Sequence, residues 1–286
     1  MIFIGFSAFE YVLGRAQKFG ASASDNTLDL LGYALLAALT QPGILWATSA
    51  IGRAVTPEYQ GSLADLPWYA MLGLLLVGDD MLQYWWHRAS HSPLLWPLHR
   101  AHHSAHYMSA RIIYRNNFFY YIGMPAIWMS GILVYLGLGP AYLLYIVCKL
   151  AVITGAHSSV RWDEPLYRFK VLAPFTCLLQ RTLSTPTTHF AHHAMTNADG
   201  IGNYKGNFGN LLFFWDVLFG SAHITQRYPA QVGLRDDQLF GPEKWWVELF
   251  YPVFRSKRGH SALVPGGKPY DDSTEAPPMA AAPFSR

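Results

Sequence analysis

Long apolar runs constrain this chain more than any other feature of its sequence. Residues 28–50 and 66–86 carry only three charged residues between them, and residues 118–156 carry one, Lys149. The third run is nearly twice as long as the others and is broken by Gly and Pro at 137–140. A helix of about 20 residues crosses the hydrocarbon core of a bilayer. The runs therefore predict an all-α, polytopic membrane protein with about four transmembrane helices.

Composition agrees with this interpretation and excludes several other classes. Hydrophobic residues make up 51% of the 286 residues and charged residues 14%, about half the charged share of an average soluble domain. This content excludes a disordered chain, a coiled coil and a collagen-like chain. A net charge of +3 without a Lys/Arg-rich run gives no reason to expect nucleic acid as a partner. The alternative is a set of core helices in a large soluble protein, although such helices usually carry a polar face.

Positive charges predict the orientation of the spans. Arginines cluster in residues 87–117 and again after the fourth run, whereas the 51–65 loop holds only Arg53. Because Lys and Arg are enriched in cytoplasmic loops, we expect 87–117, the chain after about residue 157 and both termini in the cytoplasm. The membrane would be a bacterial inner membrane or one of the endoplasmic reticulum type.

Three regions are expected along the chain. Residues 1–27 contain an apolar run too short to span a bilayer, which favours an interfacial segment. Residues 28–255 hold the spans and a cytoplasmic helical cap. Residues 256–286 are rich in Pro, Gly, Ala and Ser, a composition typical of a disordered tail.

Eight of the twelve histidines lie in three short motifs on the expected cytoplasmic side. The first motif is H-x3-H, and the second and third are each H-x2-H-H; their histidines are His87, His91, His99, His102, His103, His189, His192 and His193. Residues three and four apart share a helical face, so each motif presents two or three imidazoles in one direction. Neutral imidazole is the commonest metal ligand in proteins, so this spacing permits a metal site. Interfacial or pH-sensing histidines are the alternative.

Residues beside the motifs predict short helices. Pro93 and Pro97 are expected to separate the helix of the first motif from that of the second. Thr185 and Pro186 are expected to be the N-cap and first residue of the helix that carries the third motif. The three helix ends would then converge below the membrane.

The donor set indicates which metal is bound. Pure imidazole sites suit zinc, copper, iron and nickel, and eight histidines exceed what one ion needs, which predicts two ions. The motifs contain no Asp or Glu, unlike carboxylate-rich di-iron bundles. A hydrolytic zinc enzyme usually has three protein ligands and a carboxylate base. These motifs offer more ligands than that and no carboxylate. A histidine-rich dinuclear site against a membrane points to iron and dioxygen chemistry on lipids.

Taken together, the motifs resemble those of the fatty acid hydroxylase/sterol desaturase superfamily of membrane-bound di-iron oxygenases. The resemblance spans about residues 70–221. It is carried by DMLQYWWHR at 80–88, LWPLHRAHHS at 95–104, GAHSS at 155–159, TPTTH at 185–189, NY at 203–204 and WDVLFG at 215–220.

The resemblance implies a set of site residues. The metal ligands would be the eight histidines of the motifs together with His157. Asp80 lies seven residues before His87 on the same helical face, and we expect its carboxylate to hold a ligand imidazole or an arginine in place. Asp79 is a weaker candidate for that role, and Asp216 would act in the same way near the third motif.

Three histidines remain outside this set. His106 lies three residues past His103, and it stays open whether its side chain faces the metal site or lies behind the ligands and supports them. His223 and His260 are expected to be solvated.

The implied reaction is hydroxylation or desaturation of an unactivated C–H bond of a membrane lipid. Its cofactors would be two Fe ions, with zinc only as a substitute found in a structure, and its co-substrate dioxygen. Two electrons would come from a separate reductase or a reduced cofactor, because the sequence carries no dinucleotide, flavin or haem motif. Ether-lipid cleavage, sterol or hopanoid oxidation, carotenoid hydroxylation and hydroxylation of an amino-acid-containing lipid all stay open. A histidine-rich metal transporter and a non-catalytic lipid-binding relative are the alternatives from other classes.

Overall fold

The computed structural model describes residues 2–15, 20–259 and 261–268, and within them the chain is helical. No strand occurs in these ranges, although isolated β-bridges join Leu183 to Leu212 and Ala194 to Val232. The prediction of an all-α chain is confirmed for this part. The α-helices in chain order are α1 Ile2–Val12, α2 Ala23–Leu35, α3 Gln41–Val55, α4 Trp68–Leu75, α5 Leu82–Ser90, α6 Trp96–His103, α7 Phe118–Ile122, α8 Pro125–Leu133, α9 Gly139–His157, α10 Ala173–Thr182, α11 Pro186–His192, α12 Phe214–Leu218, α13 Arg235–Phe240 and α14 Trp245–Phe250.

Two helical stretches of the described chain have the length and apolar content needed to cross a membrane. Ala23–Val55 joins α2 and α3 through a π-helical turn at Leu36–Thr40 and includes the first predicted span. Pro125–His157 covers the run predicted to hold the third and fourth spans from residue 125 onward, while residues 118–122 form the separate helix α7. Gly137 interrupts this second stretch with a φ of 114°, a conformation that glycine adopts readily. The interruption falls within the predicted Gly/Pro turn.

The second predicted span lies in a helical run over residues 68–90, which comprises α4, a π-helical turn at Leu76–Met81 and α5. It is not one of the two stretches above, because Asp79, Asp80 and Gln83 lower its hydropathy. Both carboxylates are buried inside the fold. These two carboxylates therefore point into the fold and not toward its outer surface.

A loop and a turn meet at the end of these helices that lies away from the histidines. The backbone N–H of Gly61 donates to the carbonyl of Tyr135 at 3.1 Å, and that of Leu63 donates to the carbonyl of Leu136 at 2.8 Å. The connections before α4 and before α9 thus lie side by side. We call this the loop end. The run 68–90 carries His87 near its other end and α9 ends at His157, so both run from the loop end to what we call the histidine end.

Large apolar side chains are exposed on the outer faces of the long helices. Trp46 is 70% exposed, and it belongs to a set that also contains Leu39, Ile51, Leu74, Val77, Leu143, Leu144 and Val147. Extended exposed apolar surface marks a membrane or partner-binding surface. Inside, Met71, Leu75, Leu133 and Leu138 pack into one apolar core that joins α4, α8 and α9.

The N-terminal helix α1 packs against the rest of the chain through a buried carboxylate. Glu10 accepts hydrogen bonds from the hydroxyl groups of Ser109 and Ser158, at 2.5 and 2.8 Å, and from the backbone N–H of Ser159 at 2.7 Å. Glu10 therefore ties together the loops that follow α6 and α9. The interfacial role expected for 1–27 stays a prediction.

Helix α6 is held by a buried ion cluster that the sequence analysis missed. Arg100 is fully buried and donates to Asp236 at 2.9 Å and to Glu248 at 2.5 Å, and it also pairs with Asp237. These carboxylates belong to α13 and α14, so two C-terminal helices anchor the helix of the second motif. The only sequence signal for this ion cluster was the arginine within the H-R-A-H-H pattern.

Part of the expected tail is packed. Ala262 and Leu263 are buried, and the backbone N–H of Ser256 donates to the carbonyl of Leu263 at 2.9 Å. Arg258 also pairs with Glu243 at 2.9 Å. The expectation of disorder from residue 256 onward therefore fails for this part, because two apolar side chains find a covered position. The remainder of the expected tail, 269–286, lies outside the described residues.

Candidate metal centre

Local capping signals position the helices that carry the motifs. Helix α5 ends at Ser90 and α6 begins at Trp96, so the prolines between and within them separate the first two motifs. Helix α11 begins at Pro186, and Thr188 accepts a hydrogen bond from the backbone N–H of Thr185 at 3.1 Å. This reciprocal cap satisfies an otherwise unpaired backbone donor at the helix start. The predicted start of the third helix is confirmed.

The structure brings nine histidines together in two adjacent clusters. The nearest ring nitrogens within each cluster all lie within 4.8 Å of one another. All nine side chains are buried except that of His91, which is half-buried. The five-histidine cluster contains His87, His91, His99, His103 and His192, and the four-histidine cluster contains His102, His157, His189 and His193. These are the nine residues predicted as ligands, and their role as ligands stays a prediction.

Each H-x2-H-H motif divides its histidines between the two clusters. In the second motif, His99 and His103 join the five-histidine cluster and His102 joins the other. The third motif is reversed, since only its middle histidine, His192, joins the five-histidine cluster. The first and last histidines of each motif are four residues apart and share a helical face, which explains why they stay together.

Backbone carbonyls set the tautomers of two histidines in the five-histidine cluster. Nδ1 of His87 lies 2.7 Å from the carbonyl oxygen of Phe208, and Nδ1 of His192 lies 2.7 Å from that of Gly206. A carbonyl can only accept, so each Nδ1 carries the proton and donates it. The lone pair of Nε2 is therefore free to point into the cluster.

The same arrangement occurs in the four-histidine cluster. Nδ1 of His157 donates to the carbonyl of Ile153 at 2.8 Å, and Nδ1 of His102 donates to that of Ile112 at 3.2 Å. The two Nε2 atoms, which have no proton, lie 3.3 Å apart. Two facing lone pairs repel each other unless a cation lies between them. Nitrogens bound to one tetrahedral ion at about 2.0–2.1 Å are roughly 3.3 Å apart. This separation and the 3.2 Å between the Nε2 atoms of His189 and His193 fit a metal ion, and the 2.8 Å between those of His157 and His189 is shorter.

Ring nitrogens without a hydrogen-bond partner indicate that the five-histidine cluster also fits a metal ion. The Nε2 atoms of all five of its histidines are buried without a hydrogen-bond partner in the described chain. A buried polar atom without a partner is costly, and a group of five at one point calls for a shared partner. The residues present therefore fit two metal ions, one in each cluster.

Burial keeps these imidazoles neutral. It lowers the pKa of His103, His189 and His193 well below the ordinary histidine value, and charge repulsion from neighbouring imidazoles lowers it further. Metal ligation requires neutral imidazole, so these side chains are ready to bind a metal at neutral pH.

Asp80 is buried, but its partners differ from the expected ones. Its carboxylate accepts from the backbone N–H groups of Leu211 and Leu212, at 3.2 and 3.0 Å, and from Nε1 of Trp215 at 2.8 Å. Neither an imidazole nor an arginine of the described chain hydrogen-bonds to it, so the expected partner was wrong. The physical reason is that the segment before α12 brings two backbone N–H donors to this carboxylate, and α12 brings the indole N–H of Trp215.

Asp216 holds the same segment from its other side. It accepts from the backbone N–H groups of Phe208 and Gly209, at 2.8 and 2.6 Å, and from the hydroxyl of Ser221 at 2.6 Å. The carbonyl of Phe208 in turn accepts the proton of His87. Both aspartates therefore act on the histidines through the 206–212 segment and not by direct contact.

Two further contacts were missed by the sequence analysis. Oδ1 of Asn116 accepts from Nδ1 of His99 at 2.8 Å. Asp79, the weaker candidate, pairs with Lys149, whose Nζ lies 2.6 Å from its carboxylate. The charge of Lys149 inside an apolar run was a signal for the second contact, and no local pattern marked the first.

The remaining histidines lie away from the clusters. His106 and His223 are both exposed, and Nε2 of His223 lies 3.1 Å from the carbonyl of Gly200. His106 thus lies outside both clusters and does not face the metal site. His260 lies outside the described residues.

Two cavities reach the clusters from different sides. The inner cavity, of about 130 Å³, extends between the long helices and touches His87, His99, His102 and His157. Most of its wall is apolar or aromatic. The outer cavity, of about 330 Å³, touches His91 and His103 and is bordered by Lys205, Arg235, Asp236 and Lys268.

Comparisons with known proteins agree with this geometry. A family model described as fatty acid hydroxylase matches residues 72–221, which is just over half of the chain and nearly the range expected from the motifs. The alkylglycerol monooxygenase of Danio rerio is 25% identical over 224 residues, which are 77% of this chain and 46% of that protein. The chain thus spans about half the length of this relative. No solved structure matches the chain.

Proposed function

This chain belongs to the fatty acid hydroxylase family, and from that premise we propose that it is a membrane-bound di-iron oxygenase acting on a lipid. It would hydroxylate or desaturate an unactivated C–H bond with dioxygen and two external electrons. The observation that carries the proposal is the pair of buried histidine clusters, whose ring nitrogens converge beside a mostly apolar cavity.

The nine clustered histidines would hold the two ions. His87, His91, His99, His103 and His192 would bind one, and His102, His157, His189 and His193 the other. Two iron ions bound there would supply the redox chemistry that dioxygen activation needs and that no side chain provides.

The protein itself would orient the imidazole rings and the lipid chain and exclude bulk water. The carbonyls of Phe208 and Gly206 fix two imidazole rings through their Nδ1 protons. Asp80 and Asp216 hold the segment that carries those carbonyls. The apolar wall of the inner cavity would keep bulk water from the reacting carbon and line up a lipid chain against the clusters.

We propose a four-span topology. The spans would be the stretch Ala23–Val55, the run 68–90, residues 118–136, which comprise α7 and the helical turns up to Gly137, and α9. The loop end would lie on the far side of the membrane and the histidine end in the cytoplasm, where the arginines are concentrated. Reporter fusions at residues 60 and 105 would test this, and a cytoplasmic signal at 60 or an external one at 105 would reverse the topology.

The electron donor would reach the site from the outer cavity. Its position at His91 and His103 leaves the inner cavity to the lipid. We propose a separate reductase or a reduced cofactor as the donor. The name of the Danio rerio relative makes a neutral ether lipid the first substrate to try.

The function is tested by metal content and dioxygen-dependent product formation. The purified protein loaded with iron is expected to hold two ions per chain and to oxidise a component of a lipid extract only when dioxygen and a reductant are present. One ion or fewer in an active sample would contradict the two-ion site. Metal uptake into vesicles without lipid oxidation would favour a transporter instead.

A further inference from the structure

A buried ion pair lines the inner cavity at a point away from the histidines. Nζ of Lys149 lies 2.6 Å from Oδ1 of Asp79, and the two side chains are 5% and 7% exposed. Both residues line the cavity. A buried ion pair is weak evidence for stability, since an apolar pair often serves as well. Ionisable residues within membrane spans usually mark a path or site for a substrate or ion.

Further hydrogen-bonding groups line the same part of the cavity. Nε2 of Gln41 donates to the hydroxyl of Tyr142 at 3.0 Å. The hydroxyl of Ser130 is buried and has no hydrogen-bond partner in the described chain. We call Gln41, Asp79, Ser130, Tyr142 and Lys149 the polar patch; all five line the inner cavity. An unpartnered buried hydroxyl is costly, so Ser130 calls for a partner that enters the cavity.

Helix geometry places the polar patch at a defined distance from the clusters. Lys149 precedes His157 by eight residues on α9, and Asp79 precedes His87 by eight residues on the run 68–90. Both helices end at the clusters. At 1.5 Å per residue, each polar residue lies about 12 Å from its histidine along the helix. The cavity therefore has a polar group at one level and the clusters at another.

Local backbone structure singles out the same level. Asp79 lies in the π-helical turn Leu76–Met81, and Gln41 directly follows the π-helical turn Leu36–Thr40. Single π-helical turns inside α-helices are frequent at functional sites. Two helices that face the cavity thus depart from regular α-helix beside the polar patch.

We propose that the polar patch recognises an uncharged hydrogen-bonding group of the lipid, such as a hydroxyl, ether or amide, and so sets which carbon reaches the clusters. This inference rests on the proposed function. The group is uncharged because Asp79 already neutralises Lys149, so a lipid carboxylate would add an unpaired charge to a buried site. An ammonium has three N–H donors, of which Asp79 accepts one, so Lys149 can also donate to a neutral oxygen.

Binding of three probes of equal chain length tests the inference. The iron-loaded protein, kept without reductant so that nothing is oxidised, is mixed with hexadecanol, hexadecane or hexadecanoate in phosphatidylcholine nanodiscs. Retention of each labelled probe is then measured. We expect hexadecanol to bind about tenfold more tightly than either of the others, the ratio for one hydrogen bond to a charged group. Equal binding of hexadecanol and hexadecane would overturn the proposal.

Variants separate the polar patch from general lipid binding. The double variant Asp79→Asn/Lys149→Met removes both charges at once, which avoids leaving one buried charge unpaired. Its preference for hexadecanol over hexadecane should fall to nearly one, while its iron content stays at two per chain. Cys148→Ala is the matched control, because Cys148 is exposed on α9 next to Lys149 and does not line the cavity. A double variant that keeps the preference would overturn the proposal.

The outcome for the polar patch can be told apart from the outcome for the oxygenase. Wild-type protein that oxidises a lipid but binds the three probes equally would contradict the polar patch alone. Wild-type protein that prefers hexadecanol but never oxidises a lipid would contradict the proposed function and still support the polar patch.

Discussion

The two histidine clusters differ in their number of imidazoles and in what reaches them. The five-histidine cluster touches the inner cavity through His87 and His99 and the outer cavity through His91 and His103. The four-histidine cluster touches the inner cavity, through His102 and His157, and not the outer one. The two proposed ions would therefore be inequivalent. One would be reached from both cavities, and the other from the inner cavity alone.

The clusters also differ in what orients their rings. In the five-histidine cluster, partners of Nδ1 come from Asn116 and from the 206–212 segment, which is held by two aspartates. In the four-histidine cluster, His157 bonds to the carbonyl of Ile153 in its own helix. The first cluster thus depends on long-range contacts and the second more on a continuous helix. Mutations should be able to affect one without the other.

The largest effect is expected from removing one imidazole that is central to each cluster. His102→Ala leaves three imidazoles in its cluster and should abolish turnover and lower the iron content from two ions per chain to one. His192→Ala removes the ring that the carbonyl of Gly206 orients and should also abolish turnover, and both variants should still insert into the membrane. The proposed spans, and not the metal, would anchor the protein. Turnover, iron analysis and membrane fractionation check this, and near-normal turnover in either variant would contradict its ligand assignment.

The next variant, Arg100→Met, is expected to disrupt both clusters at once. Arg100→Met leaves the buried carboxylates of Asp236 and Glu248 without their cation, and breaking a buried ion pair costs about 3–5 kcal/mol. Helix α6 should then detach and both ions should be lost, with a lowered melting temperature. Arg168→Met is the matched control, since its ion pair with Glu164 is exposed and is worth about 0–1 kcal/mol. Equal melting temperatures for the two variants would refute the anchoring role.

Asn116 offers a way to disturb the five-histidine cluster alone. Asn116→Leu removes the acceptor of the His99 proton. It should lower activity, or the affinity of the five-histidine cluster for iron, about 10–100-fold. Asn116→Asp keeps an acceptor at that position and should restore most of the loss. Iron titration followed by spectroscopy of each site would show whether only one ion weakens. Equal loss in both variants would mean that packing, and not this hydrogen bond, matters.

A smaller effect is expected from the aspartates that hold the 206–212 segment. Asp216→Asn and Asp80→Asn should each lower activity about tenfold, the low end for residues that support metal ligands, because they act through a backbone segment. Asp199→Asn is the control, since Asp199 also accepts from two backbone N–H groups but is exposed. Turnover and iron occupancy of the three variants would be compared. Normal turnover in both test variants would show that the segment keeps its place without them.

The smallest effect is expected at His91. It is half-buried in a cluster of five, so His91→Ala leaves four imidazoles, enough for a four-coordinate ion. The variant should keep two ions per chain and lose less than about tenfold in turnover. Loss of an ion from His91→Ala would mean that all five histidines are needed. The five-histidine cluster would then have no spare ligand compared with the four-histidine cluster.

What the sequence by itself determined is local. Hydropathy marked the long helices, spacing of three and four residues placed imidazoles on one face, and Thr185 with Pro186 marked the start of α11. The break at Gly137 also lay within the predicted turn. Each of these depends on residues a few positions apart, whose interactions are set by helix geometry.

What only the tertiary structure decided is the pairing of distant groups. The partners of Arg100 include Glu248, 148 residues away, and those of Asp80 lie about 130 residues further along the chain. The division of His102 and His192 between clusters likewise follows from how α6 and α11 pack against each other's motifs. No short-range pattern encodes such contacts, because they depend on which buried donors and acceptors meet once the helices pack and every buried polar group needs a partner.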